Sequence, residues 1–307
     1  MTESVADLDA AGGEDPVAGL LRTLDLVDTG ARTDEDIFTG PSEWMPHGRV
    51  FGGQVLAQSV IAATRTVRDD RTIHSIHAYF LRPGDLDTPI TFGVERIHDG
   101  RSFSTRRTQA YQVGLPILSM IASFQKDDPG LDHHAEMPVG IPDPEDLPSA
   151  SGLLAQTDHP MVQSWIRGRP FELRHVEPTT YLAASERQKA SQALWVRTRG
   201  PLPDDPDIHR AALAYVSDHL LLQPVLRRHG LAHATGRMRM ASLDHAMWWH
   251  RDARADEWLL YTQESPSAQA GRGLVFGHMF TRDGKLVATV AQEGMIRVPE
   301  VGRAAGR

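Results

Sequence analysis

The sequence predicts an α+β fold made of two antiparallel sheets, each wrapped around its own helix and joined to the other edge to edge. Three observations carry this expectation. First, residues 73–124 and 241–295 hold the same landmarks in the same order. In the first copy these are His77-Ala78, Gly100-Arg101, Gly114 and an apolar strand at 117–122; in the second they are His245-Ala246, Gly271-Arg272, Gly284 and a strand at 287–292. Second, each copy follows an apolar helix candidate and reads as four strands. Third, the spacing of about 170 residues lies far beyond the roughly 20–50 of solenoid repeats, so the chain is a duplicated domain.

The elements follow in order. Residues 1–16 carry Glu3, Asp7, Asp9, Glu14 and Asp15 without an apolar leader core, so they read as a disordered acidic tail. Val17, Leu20, Leu21 and Leu24 have helical spacing and predict a short helix over 16–26. A glycine-rich entry at 47–54 leads into a helix at 55–67 that is apolar or small on nearly every side and must be buried. Strands are expected at 72–82, 89–98, 102–112 and 116–126, with alternation clearest at Ile90, Phe92 and Val94. Pro129, Pro138, Pro142, Pro144 and Pro148 give 126–151 the composition of a linker. Ala193-Leu194-Trp195-Val196 reads as a strand opening the second unit, followed by a helix over 207–229 and strands at 237–249, 256–266, 273–281 and 286–297. The division is therefore an acidic tail 1–16, an N-terminal domain 17–127, a linker 128–165, a C-terminal domain 166–298 and a tail 299–307. A buried helix followed by an antiparallel meander, given twice, packs economically as a double hotdog, because edge pairing also removes exposed strand edges.

Composition narrows the function. The chain has 307 residues, long enough for two cores, and a net charge of −8. No clustered basic face is visible beyond the isolated pairs Arg106-Arg107 and Arg227-Arg228, which argues against a nucleic-acid partner. No apolar run reaches membrane-spanning length. Cysteine is absent, which excludes disulfides, thiolate metal sites and a cysteine nucleophile and agrees with a cytoplasmic setting.

Three polar residues interrupt apolar surroundings. Asp218 ends the run Ala211-Ala212-Leu213-Ala214-Tyr215-Val216-Ser217 and precedes His219-Leu220-Leu221-Leu222. A carboxylate there loses hydration and is tolerated only when paired, hydrogen-bonded or protonated. It is either a capping carboxylate bonded to a neighbour such as His219 or a general base with a burial-tuned pKa. Ser242 lies in Ser242-Leu243-Asp244-His245; strand alternation places Ser242, Asp244 and Ala246 on one face and Leu243, His245 and Met247 on the other. No G-x-S-x-G elbow surrounds it, so it reads as a hydrogen-bonding group rather than a nucleophile. Gln292 sits in an otherwise small, apolar strand. Trp248 and Trp249 read as packing residues, and His133-His134 lacks a third metal ligand.

Aligning Gly114 with Gly284 sets Ala122 against Gln292, aligning His77 with His245 sets His74 against Ser242, and Gly53-Gln54 falls against Ser217-Asp218. Only the second copy then holds the carboxylate. One centre per chain is expected, with Gln54, His74 and Ala122 marking the copy that lost its chemistry.

With these residues in place, the chain resembles the acyl-CoA thioesterase II family of double-hotdog enzymes from about Leu20 to Val298. The similarity rests on Val50-Phe51-Gly52-Gly53-Gln54, on the run from His74 to Gly84 (HSIHAYFLRPG), on Asp99-Gly100-Arg101-Ser102-Phe103-Ser104, on Ser217-Asp218, on Leu243-Asp244-His245-Ala246-Met247-Trp248, on Glu257-Trp258-Leu259-Leu260-Tyr261 and on Gln292-Glu293-Gly294. The resemblance implies hydrolysis of fatty acyl-CoA to fatty acid and CoA. It also implies a catalytic trio of Asp218, Ser242 and Gln292 that orients a water, with no metal or redox cofactor. His74 matches a histidine considered functional in relatives and is expected as a supporting substrate-binding residue, with Gly52 and Gly53 as backbone close to the ligand. The sequence departs from relatives after Asp218, where His219-Leu220-Leu221-Leu222-Gln223 stands in place of a segment that often carries an Asn. Two other readings are a hotdog enoyl-CoA hydratase, which lacks its Gly-Asp-x-Asn-Pro-x-His pattern here, and a non-catalytic acyl-CoA-binding protein, which would gain nothing from burying Asp218. The expected partners are the acyl-CoA substrate and other copies of the chain, in a homodimer or dimer of dimers, with neither nucleic acid nor membrane.

Overall fold

The computed structural model describes residues 15–298 except 33, 47, 156, 158–167, 185–187 and 233–237. The tails expected at 1–16 and 299–307 therefore lie outside the described residues, apart from Asp15 and Pro16, as does much of the end of the expected linker. Asp15 caps the first helix, α1 (Pro16–Leu24), by accepting from the Val17 N–H at 3.0 Å, and Pro16 supplies the fixed φ of a first helical turn. Leu20 and Leu24 anchor it in the core.

Among the described residues, thirteen strands form one continuous sheet. The first half contributes β1 (Val27–Arg32), β2 (Glu35–Gly40), β3 (Thr72–Phe80), β4 (Ile90–Asp99), β5 (Phe103–Gln112) and β6 (Leu115–Gln125). The second contributes β7 (Phe171–His175), β8 (Ser191–Thr198), β9 (Arg239–Ser242), β10 (Asp244–Trp249), β11 (Leu259–Gln269), β12 (Arg272–Thr281) and β13 (Leu286–Arg297). The order β1-β2-β4-β5-β6-β3-β10-β13-β12-β11-β8-β7 reads the same from either end once β7 is equated with β1 and β10 with β3; β9 pairs beside this path with β13. Each half thus has two strands before its helix as well as the expected four after it, the first of the second half's four being split at Leu243 into β9 and β10. Of these extra strands only β8 is legible in sequence. β1 carries Asp28, Thr29 and Gly30 and owes its conformation to antiparallel pairing with β2, itself held on β4.

The halves meet where β3 pairs with β10. Here the register corrects one expectation. His77 is opposite Ala246 and Ala78 opposite His245, yet His77 is exposed and His245 buried, so the shared His-Ala dipeptide does not mark equivalent positions. The buried sets are Ile76 and Ala78 on β3 and His245, Met247 and Trp249 on β10, which makes Ile76 the equivalent of His245. A one-residue slip in a strand reverses every face, so the sequence landmarks mislead by one. The equation of Ala122 with Gln292 agrees with the ladders: Ile76 is opposite Ala122, and continuing the β10–β13 register past Ala246–Ala291 sets His245 opposite Gln292.

Inside the sheet lie α2 (Gly52–Thr64) and α4 (Pro206–Ser217), packed directly on one another rather than each under a separate sheet. A Cβ on Gly53 would stand 2.2 Å from the Tyr215 carbonyl oxygen, so the absence of a side chain sets how closely these helices approach. The single helix expected over 207–229 is broken: α4 ends at Ser217, and α5 (Gln223–Arg228) follows a turn in which Leu220 adopts φ 60°. Pro224 explains the break, because in a continuous helix its ring would collide with the Leu220 carbonyl. The freed carbonyls of His219 and Leu220 accept instead from Gln263 Nε2 at 3.3 Å and Gln192 Nε2 at 3.4 Å.

The proline-rich segment is more than a tether. Met137, Ile141 and Leu147 pack on Ala193, Trp195, Trp258 and Leu260, the Pro142 carbonyl accepts from Trp195 Nε1 at 2.9 Å, and the Pro144 carbonyl accepts from Arg174 at 2.7 Å. It covers the outer face of the second half. A short helix, α3 (Ala150–Leu154), then leads toward β7.

One contiguous core runs through both halves. A chain ending at Lys126 loses the β10 partner of β3 and the α4 partner of α2, and is expected to aggregate or self-associate. Light scattering with thermal melting checks this; a monomeric fragment with a cooperative transition would contradict the shared core.

Candidate active site

Asp218 stands at the C-cap of α4, where the helix breaks. Asp205 and Pro206 start that helix, and Ala211 through Ser217 are all buried, so the chain delivers a carboxylate to the centre of the molecule. Its Oδ1 accepts from Ser242 Oγ at 2.9 Å, and Ser242 Oγ accepts from Gln292 Nε2 at 3.0 Å. The Gly53 backbone N–H and the Gln292 side chain also donate to the carboxyl. Burial pushes the Asp218 pKa up to about 6 against the opposing pull of these donors. The group is therefore mostly ionised at neutral pH yet more basic than an exposed aspartate.

The structure brings together Asp218, Ser242 and Gln292, the three residues singled out in sequence. Ser242 faces the site for a reason the alternation rule misses. Leu243 interrupts the strand expected over 237–249; its N–H donates to the Glu293 carbonyl, and its carbonyl accepts from the Phe80 N–H, each at 2.9 Å. This break turns Ser242 to the same side as His245, where strict alternation would oppose them. His245 is buried, with Nδ1 2.5 Å from Gln292 Oε1 and Nε2 2.9 Å from Ser217 Oγ, and desolvation lowers its pKa to about 4. Sequence reasoning gave neither His245 nor Ser217 a role. The available signal was His245 on an inward face shared with Met247 and Trp249.

His74 is not brought to the trio. It is half-buried on β3, hydrogen-bonded to Ser123 Oγ at 2.9 Å and edge-on to Phe103, within the first half. Gln54 is wholly buried in a structural network: its Nε2 donates to the Pro41 carbonyl at 2.9 Å and to Gln58 Oε1 at 3.1 Å, while its Oε1 accepts from the Glu43 N–H. Ala122 is buried against Ile76.

Gly52 and Gly53 open α2, whose N-terminal end faces the Asp218 carboxyl and favours its anionic form. Because the Gly53 N–H is engaged by Asp218, the glycines serve first to admit the carboxylate. A cavity of about 770 Å³ lined by Arg197, Arg254, Trp258 and Arg282 contains none of the trio, and these three arginines are engaged by Glu172, Asp204, Asp256, Asp143 and Glu145. The hydrogen-bonded carboxylate, rather than this cavity, is the candidate centre.

A family model described as the acyl-CoA thioesterase N-terminal domain matches residues 40–125, and one described as acyl-CoA thioesterase matches residues 170–295. The chain is 40% identical to acyl-coenzyme A thioesterase 8 of Homo sapiens over 281 residues, 87% of each protein. It is 39% identical to acyl-CoA thioesterase 2 of Haemophilus influenzae over 277 residues, 88% of this chain and 95% of that one. The chain belongs to the acyl-CoA thioesterase II family. The solved acyl-CoA thioesterase II TesB2 of Mycobacterium marinum is 42% identical, with a TM-score of 0.74 over 92% of this chain and 98% of that chain. A hot dog fold protein of Alicyclobacillus acidocaldarius has a TM-score of 0.75 at 19% identity, which shows the fold alone. The double-hotdog class expected from the repeat is thus the class observed.

Within this thioesterase the two glycines face different neighbours. A Cβ on Gly52 would lie 2.6 Å from Asp218 Oδ2, whereas one on Gly53 meets fixed backbone. Gly52→Ala is expected to displace the carboxyl and lower kcat by about 100-fold with little change in melting temperature. Gly53→Ala is expected to cost about 1–3 kcal/mol of stability by urea titration.

Proposed function

We propose that this protein hydrolyses fatty acyl-CoA thioesters, using a water held by Asp218, Ser242 and Gln292. Asp218 accepts a proton from the water as its oxygen attacks the thioester carbonyl. The C–S bond of the tetrahedral intermediate then breaks, the proton held by Asp218 passes to the leaving sulfur, and CoA departs as its thiol while the free fatty acid remains. Ser242 and Gln292 supply orientation, which is worth most when donors are fixed before the reaction begins. The observation that carries this reading is the convergence on one buried carboxyl of Ser242 at 2.9 Å, Gln292 and the Gly53 N–H, around a group whose pKa burial raises to about 6. Hydration of an enoyl-CoA or passive binding finds no comparable support in this arrangement.

Release of CoA can be followed with a thiol reagent, cleanly because the chain has no cysteine. Asp218→Asn is expected to fold normally and lose at least about 100-fold in kcat, since an amide cannot accept the proton. Ser242→Ala and Gln292→Ala are expected to lose roughly 10- to 1000-fold each, and less than the product when combined. Near-normal hydrolysis by Asp218→Asn would remove the assignment.

The base must be ionised, so kcat/KM should fall as pH drops through about 6 and level off above it. A pH–rate profile whose acid limb stays near pH 4 would show that the titrating group is not this buried carboxyl. His74→Ala is expected to change turnover far less than Asp218→Asn, and titration with a nonhydrolysable acyl-CoA analogue should give one site per chain. Assembly into a homodimer or dimer of dimers is supported by Tyr79, Phe103 and Ile121, which remain exposed on the outer face of β3, β5 and β6.

A further inference from the structure

Beyond the trio, a line of hydrogen bonds continues inward: Ser217 Oγ to His245 Nε2 at 2.9 Å, His245 Nδ1 to Gln292 Oε1 at 2.5 Å, Gln292 Nε2 to Ser242 Oγ at 3.0 Å and Ser242 Oγ to Asp218 Oδ1 at 2.9 Å. We infer that His245 is a positioning residue, whose Nδ1–H holds the Gln292 amide with its carbonyl turned away from Ser242, so that the single Ser242 proton is left for Asp218. This deepens the proposed function and rests on Asp218 being the base.

Donor counting fixes the polarity. Asp218 as a carboxylate can only accept, so Ser242 must donate to it, and the Ser242 oxygen can then only accept from the glutamine. The group facing Ser242 is therefore the Gln292 N–H, and the Gln292 carbonyl faces His245. A carbonyl only accepts, so the imidazole proton sits on Nδ1. A buried imidazole that stays neutral has one N–H, which leaves Nε2 to accept from Ser217 Oγ. From His245 Nδ1 onward every bond in the line then donates toward Asp218. With the amide reversed, Ser242 would have to donate to the Gln292 carbonyl, and its bond to the carboxylate would be lost.

Ser217 is held in turn: Tyr261 donates to its carbonyl at 2.7 Å, and its Oγ–H donates to the Ala214 carbonyl at 2.8 Å, with His245 Nε2 as a second acceptor at 2.9 Å. The duplication supplies independent support. At the equivalent places in the first half the facing pair is Ile76 and Ala122, both wholly buried. The histidine thus accompanies the glutamine in the half that holds the carboxylate, and an apolar pair fills the same space in the half without it.

Three variants and one spectrum test this in the intact protein. His245→Leu should lower kcat roughly 10- to 100-fold with KM within about twofold, because geometry at the water is lost while substrate contacts are not. His245→Asn places an amide N–H near the Nδ1 position and should recover most of that loss. His245→Leu added to Gln292→Ala should cost little more than Gln292→Ala alone, since the histidine acts through the glutamine. Imidazole nitrogen NMR of the wild-type protein at pH 7 should show His245 neutral with the proton on Nδ1, a readout that survives even if His245→Leu folds poorly. A proton on Nε2, undiminished kcat in folded His245→Leu, or full additivity with Gln292→Ala would overturn the inference. Asp218→Asn run alongside separates the two claims. If it is inactive while His245→Leu is not, only the positioning role fails; if it is active, the reading of Asp218 fails first.

Discussion

A carboxylate taken out of water at the end of α4 is the constraint on which the rest of the structure turns. Moving the Asp218 pKa from 3.8 to about 6 means that its ionised form costs the folded protein about 3 kcal/mol. The sign follows from the folded value lying above the unfolded one: the cost is absent below about pH 4, grows as pH rises from there to about 6 and stays constant above it. Stability of a domain is only about 5–15 kcal/mol, so the surroundings must hold this group firmly. They do so from both halves, with the Gly53 N–H from the first and Ser242 and Gln292 from the second.

Two irregularities flank the group. Pro224 rules out a regular helix over 207–229, and the chain turns through left-handed Leu220 directly after Asp218. Such a conformation costs a non-glycine residue about 1–3 kcal/mol. A regular strand through 237–249 would turn Ser242 away from the side that His245 occupies, and the interruption at Leu243 prevents this. Both departures from periodicity lie beside Asp218, where its hydrogen-bond network and local regularity conflict.

Much of the fold is legible in sequence because apolar periodicity and the repeated glycines mark the long strands, and Asp218, Ser242 and Gln292 declare themselves as polar residues among apolar neighbours. What stays hidden depends on partners distant in the chain. β1 and β7 exist through pairing, and the packing of α2 on α4 depends on Gly53 meeting the Tyr215 carbonyl. His245 was obscured by a coincidence of letters: the dipeptide it shares with His77 suggests equivalence, whereas burial sets it against Ile76. Only the register of a folded sheet can separate identity of sequence from identity of place.

The cradle of Asp218 is assembled from residues more than a hundred positions apart, so its affinity for a proton depends on contacts from both halves of the chain. Should they part, water would reach the group, the Gly53 N–H would be withdrawn, and its titration would relax toward the 3.8 of an ordinary aspartate. The environment of this one ionisable group is therefore complete only when both halves of the chain are in place.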